Sequence, residues 1–175
     1  MKREIAQLRA KEAHRADKIL GISERVSLGL PTQGLVNTRE VYQECVRLIR
    51  LYRPTVILTH YKHDKHRDHR ATYEIVDEAR YKAQESVLAD KGEPWYTPHL
   101  LFYEIFELFV FPSVVVDITS TFHLKREAME AQTTQLDVLP GILNFMEGLA
   151  RVRGYLRGTS YAEAFLLSNT MPALV

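Results

Sequence analysis

Four of the chain's seven histidines fall within ten residues, in the segment His60-Tyr-Lys-His63-Asp-Lys-His66-Arg-Asp68-His69. Neutral imidazole is a common zinc ligand, and a carboxylate commonly orients it from behind. His66, Asp68 and His69 are the sharp part of the pattern. On the first turn of a helix, residues three apart share a face. One histidine could then bind a metal while the other meets a substrate. The same segment interleaves Lys62, Lys65, Arg67 and Arg70, and a solvated mixed-charge loop is the competing reading. A catalytic zinc wants about three protein ligands plus water. This segment offers one or two, so the remainder must come from elsewhere in the fold.

Such residues act only where the fold holds them. Directly before them runs Thr55-Val-Ile-Leu-Thr-His60, a compact β-branched run that reads as a buried parallel strand. The histidines then sit at its carboxyl end, where open α/β sheets bind ligands. A helix is expected from about 67 to 86. Upstream, residues 4–20 read as a helix stopped by Gly21, and Val26 to Leu30 as a short strand. Pro31 to Gly34 is turn chemistry. Asn37 looks like an N-cap, with Glu40 three residues on. Val41, Cys45, Leu48 and Tyr52 recur at helical spacing, predicting an amphipathic helix over 38–52 with Cys45 in the core. Downstream, 87–98 is a long loop, and Leu100 to Phe106 and Ser113 to Ile118 are strands. Ser120 or Thr121 caps a helix that includes Leu124, Ala128 and Ala131. Pro140 breaks it, a helix spans about 141–153, and Tyr161 to Leu167 is a last strand. The order predicts an α/β fold with a mainly parallel sheet flanked by helices.

Composition narrows the function classes. The 175 residues suit one domain. With 46% hydrophobic residues and a net charge of +1, the chain lacks the signature of disorder. Lys plus Arg is 23 against 22 for Asp plus Glu, so there is no basic excess of the kind nucleic-acid binders show. One cysteine, Cys45, allows no internal disulfide. No apolar run approaches the roughly 20 residues of a membrane helix, and the charged N-terminus is unlike a signal peptide. A cytoplasmic location is expected, with no nucleic acid and no membrane as partner.

Asp64-Lys-His66-Arg-Asp68-His69 resembles the D-x-H-x-D-H motif of the zinc-dependent N-acetylglucosamine deacetylases, the LmbE/PIG-L family. The likeness extends along the chain. Arg9-Ala-Lys-Glu12-Ala-His-Arg-Ala16-Asp-Lys-Ile-Leu20-Gly21 resembles that family's R-x-x-E-x-x-x-A-x-x-x-L-G helix. Leu28-Gly-Leu-Pro-Thr-Gln-Gly34-Leu35 is similar to its L-G-x-P-D-G-x-L segment. Lys125, Ala128, Thr134-Gln135, Arg153-Gly154, Gly158 and Tyr161-Ala-Glu-Ala-Phe165 resemble the branch that removes acetate from N-acetylglucosaminyl-malate on the way to bacillithiol.

The resemblance implies a single Rossmann-like domain over 1–175 and a zinc cofactor. His69 would be a metal ligand, His66 the acid that stabilises the oxyanion, and Asp68 the carboxylate that orients it. Arg9 would lie near the sugar, against the plain reading of an exposed helix arginine. Tyr161 and Glu163 match a signature read here as structural, and His60 and His63 have no counterpart. In the implied mechanism, zinc lowers the pKa of its water toward ~7. A carboxylate takes the proton, and protonated His66 stabilises the oxyanion or protonates the leaving amine.

Three positions depart from the family pattern. Its first strand ends in H-P-D-D-E, supplying two further zinc ligands and the general base; this sequence contains no H-P-D-D. Thr32 stands where an Asp is usual, and Gln132 where a histidine is common. The fold is therefore expected to lack its first strand–helix unit, truncated at the N-terminus. Such a loss exposes apolar surface and an open strand edge, to be covered by association into a homo-oligomer. Two other readings follow: a catalytically incomplete family member with a binding or assembly role, and a metal site rebuilt from His60, His63, His66 and His69 alone.

Overall fold

A computed structural model describes residues 2–169. The elements run α1 (Lys2–Leu20), α2 (Arg39–Tyr52), β1 (Val56–Thr59), α3 (Arg67–Ala83), a 3-10 turn (Ala89–Lys91), β2 (His99–Tyr103), β3 (Val114–Asp117), α4 (Phe122–Glu130), α5 (Thr133–Leu136), α6 (Ile142–Tyr155) and β4 (Ala162–Leu167). The strands form one sheet in the order β1-β2-β4-β3. β1 and β2 are parallel, with Val56 opposite His99 and Thr59 opposite Phe102. β2 and β4 are antiparallel, with Leu101 opposite Leu167. The α/β class holds, and the sheet is mixed rather than mainly parallel. The chain divides into two compact units, Met1–Leu28 with Val115–Glu163, and Gly29–Val114 with Ala164–Val175.

The second unit carries the histidines. α2 packs on α3 around Val46, Ile49, Ala79 and Ala83, with Cys45 against this cluster as the periodicity predicts. Burial raises the Cys45 thiol pKa. Leu100, Phe102 and Phe109 form a second core beneath β1 and β2. Arg50, 3% exposed, closes the C-terminal end of α3. Its guanidinium donates to the carbonyls of Lys82, Ala83, Glu85, Val87, Leu88 and Gly92. The last carbonyls of a helix have no partner within it, and a cation there also meets the negative end of the helix dipole. Arg80 does related work on the carbonyls of Thr97 and Pro98.

Several sequence expectations change in this unit. Thr38, not Asn37, caps α2, accepting from the Val41 N–H. Asn37 instead donates to Glu78 at 2.6 Å. β1 is parallel but not buried: it lies at the sheet edge, and Val56 and Leu58 are 45% and 53% exposed.

In the first unit α1 packs on α4. Gly21 ends α1 as expected: its φ of +67° lets the Ile22 N–H reach the Asp17 carbonyl at 2.9 Å. Glu12, 1% exposed, accepts from the Thr133 and Thr134 hydroxyls at 2.6 and 2.5 Å and from the Thr134 N–H at 3.0 Å. It thereby caps α5. Those hydroxyls hold its carboxyl below the usual range against the opposing effect of burial. Gly154 is a glycine because a Cβ there would meet the Thr159 carbonyl oxygen at 2.6 Å. Val26 to Leu30 forms no strand; Gly29, at φ +64°, interrupts the extended run.

Candidate active site

The strand β1 ends at Thr59, and His60 to His66 turn the chain into α3. His66 is the N-cap of α3: its Nδ1 accepts the Asp68 backbone N–H at 3.1 Å. Histidine is not among the favoured caps, so its presence here is a local cost that marks the position. A neutral imidazole carries one N–H and one lone pair. With the lone pair at Nδ1 spent on the cap, the His66 proton sits on Nε2, which becomes a hydrogen-bond donor.

His69 follows one helical turn later, its ring centroid 4.6 Å from that of His66. His60 stacks on its face at 4.0 Å, with 13° between the planes. Phe106 also stacks on it, at 5.7 Å and 6°. Burial, and then the neighbouring His69, push the pKa of His60 down to about 4, while the Asp64 carboxylate works the other way. His60 is therefore neutral near pH 7. Asp64 is 3% exposed and accepts the His66 backbone N–H at 2.8 Å. Its oxygen also lies 3.0 Å from Nδ1 of His69. Burial alone would raise its pKa; the His66 N–H, the His69 ring and the Phe106 N–H outweigh it and hold Asp64 below the usual carboxylate range.

Asp68 touches His66 through its backbone. Its carboxylate accepts the Gln33 N–H at 2.6 Å, tying the Pro31–Gly34 turn to the start of α3. Gln33 holds a φ of +59° there. The other Asp68 oxygen is buried without a hydrogen-bond partner, as are Thr59 Oγ1 and His60 Nδ1. The orienting contact expected from the Asp68 carboxylate is thus replaced by the capping hydrogen bond. Arg9 is exposed on α1 in the first unit. Tyr161 and Glu163 are engaged in that unit: Tyr161 stacks on Phe122 at 4.0 Å and Glu163 pairs with Lys125.

His66, Asp68 and His69 are therefore close together, and His60 joins them. His63 does not; it is exposed and meets the ring of Tyr61 edge-on. Sequence reasoning misses Phe106 and the pairing of Asp64 with His69, and His60, weighed there as a metal ligand, is found stacked on His69 instead. Asp64 lies inside the recognised motif, which is the available signal; nothing in the local pattern points to Phe106. Among the described residues no three of His, Cys, Asp and Glu converge in a geometry that could hold a metal ion. A face-stacked imidazole aims its in-plane lone pair away from its neighbour, so His60 and His69 cannot share an ion. The described residues do not by themselves make a zinc site, and the rebuilt four-histidine site is not formed.

A histidine pair lies at the carboxyl end of a parallel strand in a mixed α/β sheet, and the comparisons with known proteins bear on the family and the fold. Residues 1–80 match the PIG-L family, GlcNAc-PI de-N-acetylase. The chain is 30% identical to the conserved protein TT1542 from Thermus thermophilus, over 97% of this chain and 75% of that one, with a TM-score of 0.87. The chain belongs to the PIG-L family. The fold is also that of N,N'-diacetylchitobiose deacetylase from Pyrococcus horikoshii, at 23% identity and TM-score 0.81 over 95% of this chain and 65% of the other. GalB, the 4-carboxy-2-hydroxymuconate hydratase from Pseudomonas putida, shares it at 18% identity and TM-score 0.76, over 100% and 76%. The chain thus spans from 65% to 76% of the length of these proteins. A deacetylase and a hydratase on one fold show that the site, not the fold, decides the reaction. No helix among the described residues is long and apolar enough to cross a membrane.

Proposed function

We propose that the chain carries the histidine side of a de-N-acetylase site acting on an N-acetylated amino sugar of the N-acetylglucosaminyl-malate type, in bacillithiol synthesis. The observation that carries this reading is the His66 N-cap, which leaves an Nε2–H donor beside His69 at the strand end. Amide hydrolysis develops negative charge on the carbonyl oxygen. A fixed donor aimed at that charge is commonly the largest single contribution to such a reaction. His66 is the donor, working from its neutral form rather than the protonated one that the family resemblance implies: a proton on Nδ1 would break the cap. Zinc is the proposed metal, with His69 the one ligand the described residues contribute. An open groove of about 510 Å³ lined by Leu35, Asn37, Arg67, Arg70 and Glu74 lies beside the start of α3. Its two arginines suit a carboxylate-bearing aglycone such as malate.

The test is amine release from N-acetylglucosaminyl-malate by the chain in the presence of zinc. Release supports the reading; a folded chain that neither releases amine nor binds the sugar in calorimetry overturns it. A second reading, a family member that binds the sugar without turning it over, is favoured by the absence of a three-ligand cluster among the described residues. Calorimetric binding without amine release would establish it.

A further inference from the structure

We propose that Asp64 is the positioning residue of this site: its carboxylate fixes His69 as the Nδ1–H tautomer, so that His69 presents a bare Nε2 lone pair beside the Nε2–H of His66. The use made of the two nitrogens rests on the functional reading above; the tautomers themselves do not.

Nδ1 of His69 is fully buried, and the Asp64 carboxylate oxygen is 3.0 Å away. The approach is off-axis, and Nδ1 makes no well-aligned hydrogen bond to anything else. A lone pair at Nδ1 would face the lone pairs of a buried anion at that distance. An N–H there turns the same contact into a charge-assisted attraction. The carboxylate therefore selects the proton on Nδ1, and the lone pair falls to Nε2.

The stacked rings of His60 and Phe106 hold the plane of His69. Stacking constrains a plane but not rotation within it, so it leaves open which nitrogen faces which way. Asp64 supplies that missing constraint. The same oxygen accepts the His66 backbone N–H at 2.8 Å, so one buried group ties both histidines to a common reference.

His66 is set the opposite way by the Asp68 N–H at its Nδ1. Two residues of one type, three apart, thereby become unlike tools. One donates to a developing oxyanion; the other accepts a proton or a cation. The choice matters because a ring nitrogen's role is decided by the hydrogen bond its partner nitrogen makes.

The experiment is a long-range proton–nitrogen correlation spectrum of the nitrogen-15-labelled chain. It is recorded in EDTA, since a metal on Nε2 would itself enforce Nδ1–H, and at about pH 8, where ordinary histidine is neutral. His66→Gln and His69→Gln assign the signals. The expected pattern is pyrrole-type Nδ1 for His69 and pyridine-type Nδ1 for His66. Asp64→Ala, which leaves no acceptor facing His69, should move His69 toward Nε2–H and leave the His66 tautomer unchanged. A wild-type His69 carrying its proton on Nε2, or on both nitrogens, overturns the proposal, as does an unchanged His69 in Asp64→Ala. Should Asp64→Ala fail to fold, the wild-type pattern decides alone. The predicted pattern in a chain without amide hydrolysis counts against the functional reading and leaves Asp64 in its role. Hydrolysis with an Nε2–H His69 does the reverse.

Discussion

At the C-terminal end of α3 the Arg50 guanidinium reaches six backbone carbonyls with its Nε and both terminal nitrogens. At the N-terminal end, Thr59 Oγ1, His60 Nδ1 and one oxygen of Asp68 are buried with no partner. Both ends use polar groups that water has been removed from. A buried polar group without a partner costs about 1–3 kcal/mol, so the second arrangement is expensive and the first is not. Arg50, which holds the fold together, has its hydrogen-bonding capacity used up. A group meant to meet something else keeps a nitrogen or an oxygen in reserve. Arg80, whose Nη1 is also unpartnered, shows that the contrast belongs to particular groups rather than to the whole helix.

The contrast can be broken most directly at His66. His66→Ala removes cap and donor together, and amide hydrolysis should fall on the order of 10²–10³-fold, as for loss of an oxyanion donor. His66→Asn restores a favoured cap residue without restoring the imidazole. Turnover should stay low in this variant while the urea midpoint returns to that of the wild type. Recovery of turnover with Asn would mean that capping, not donation, is the role of this position.

Arg50 should behave in the opposite sense. Arg50→Met strips the partners from a set of buried carbonyls and should lower stability by about 3 kcal/mol, read as a shift in the urea midpoint. Arg50→Lys should recover less than half, because one ammonium cannot reach carbonyls spread around a planar fork. The His66 and His69 tautomers should be the same in folded Arg50→Met as in the wild type. A change in them would show that the two ends are coupled.

Glu12, in the first unit, is a carboxylate of the used-up kind, and pH tests it. Its folded pKa lies below the ordinary value of 4.5, chiefly because the Thr133 and Thr134 hydroxyls bind the charged form. The stability it adds is full above that ordinary value and is lost as pH falls through the folded pKa. Glu12→Gln should therefore be less stable than the wild type at neutral pH, with the gap closing on acidification. A gap of constant size from pH 7 to the acid limit would rule out the carboxylate as its source.

How much of this is legible in the sequence differs between the two ends of α3. Helix periodicity places α2 and α3, and the β-branched run places β1, because local pattern and local structure coincide there. The histidine pair is visible because its residue types are rare and its spacing is that of a helical turn. Arg50 is not: it sits on α2 among alternating charges, and its partners Lys82 to Gly92 lie far along the chain. Phe106 and the stacking of His60 on His69 escape for the same reason, since ring stacking across a loop has no sequence period. The exposure of β1 is hidden because an apolar run reads as buried whether or not the sheet continues past it. The Asp68 carboxylate binds a neighbour no local pattern indicates, since Gln33 lies thirty-five residues upstream.

The smallest effect is the sharpest probe of reserve. Thr59, 2% exposed, ends β1 with a hydroxyl that meets no partner. Thr59→Val keeps the shape and the β-branch and removes the hydroxyl. If that hydroxyl serves only the fold, its loss should destabilise, as removal of a hydrogen bond does. If it is held back for a ligand, an unsatisfied group is removed and the chain should gain up to about 1 kcal/mol. The gain is expected in the unliganded protein, measured by the urea midpoint. The same substitution should weaken sugar binding in calorimetry. A stabilised variant that binds sugar as well as the wild type would leave the orphaned hydroxyl as a defect of packing and confine the reserve to the histidines.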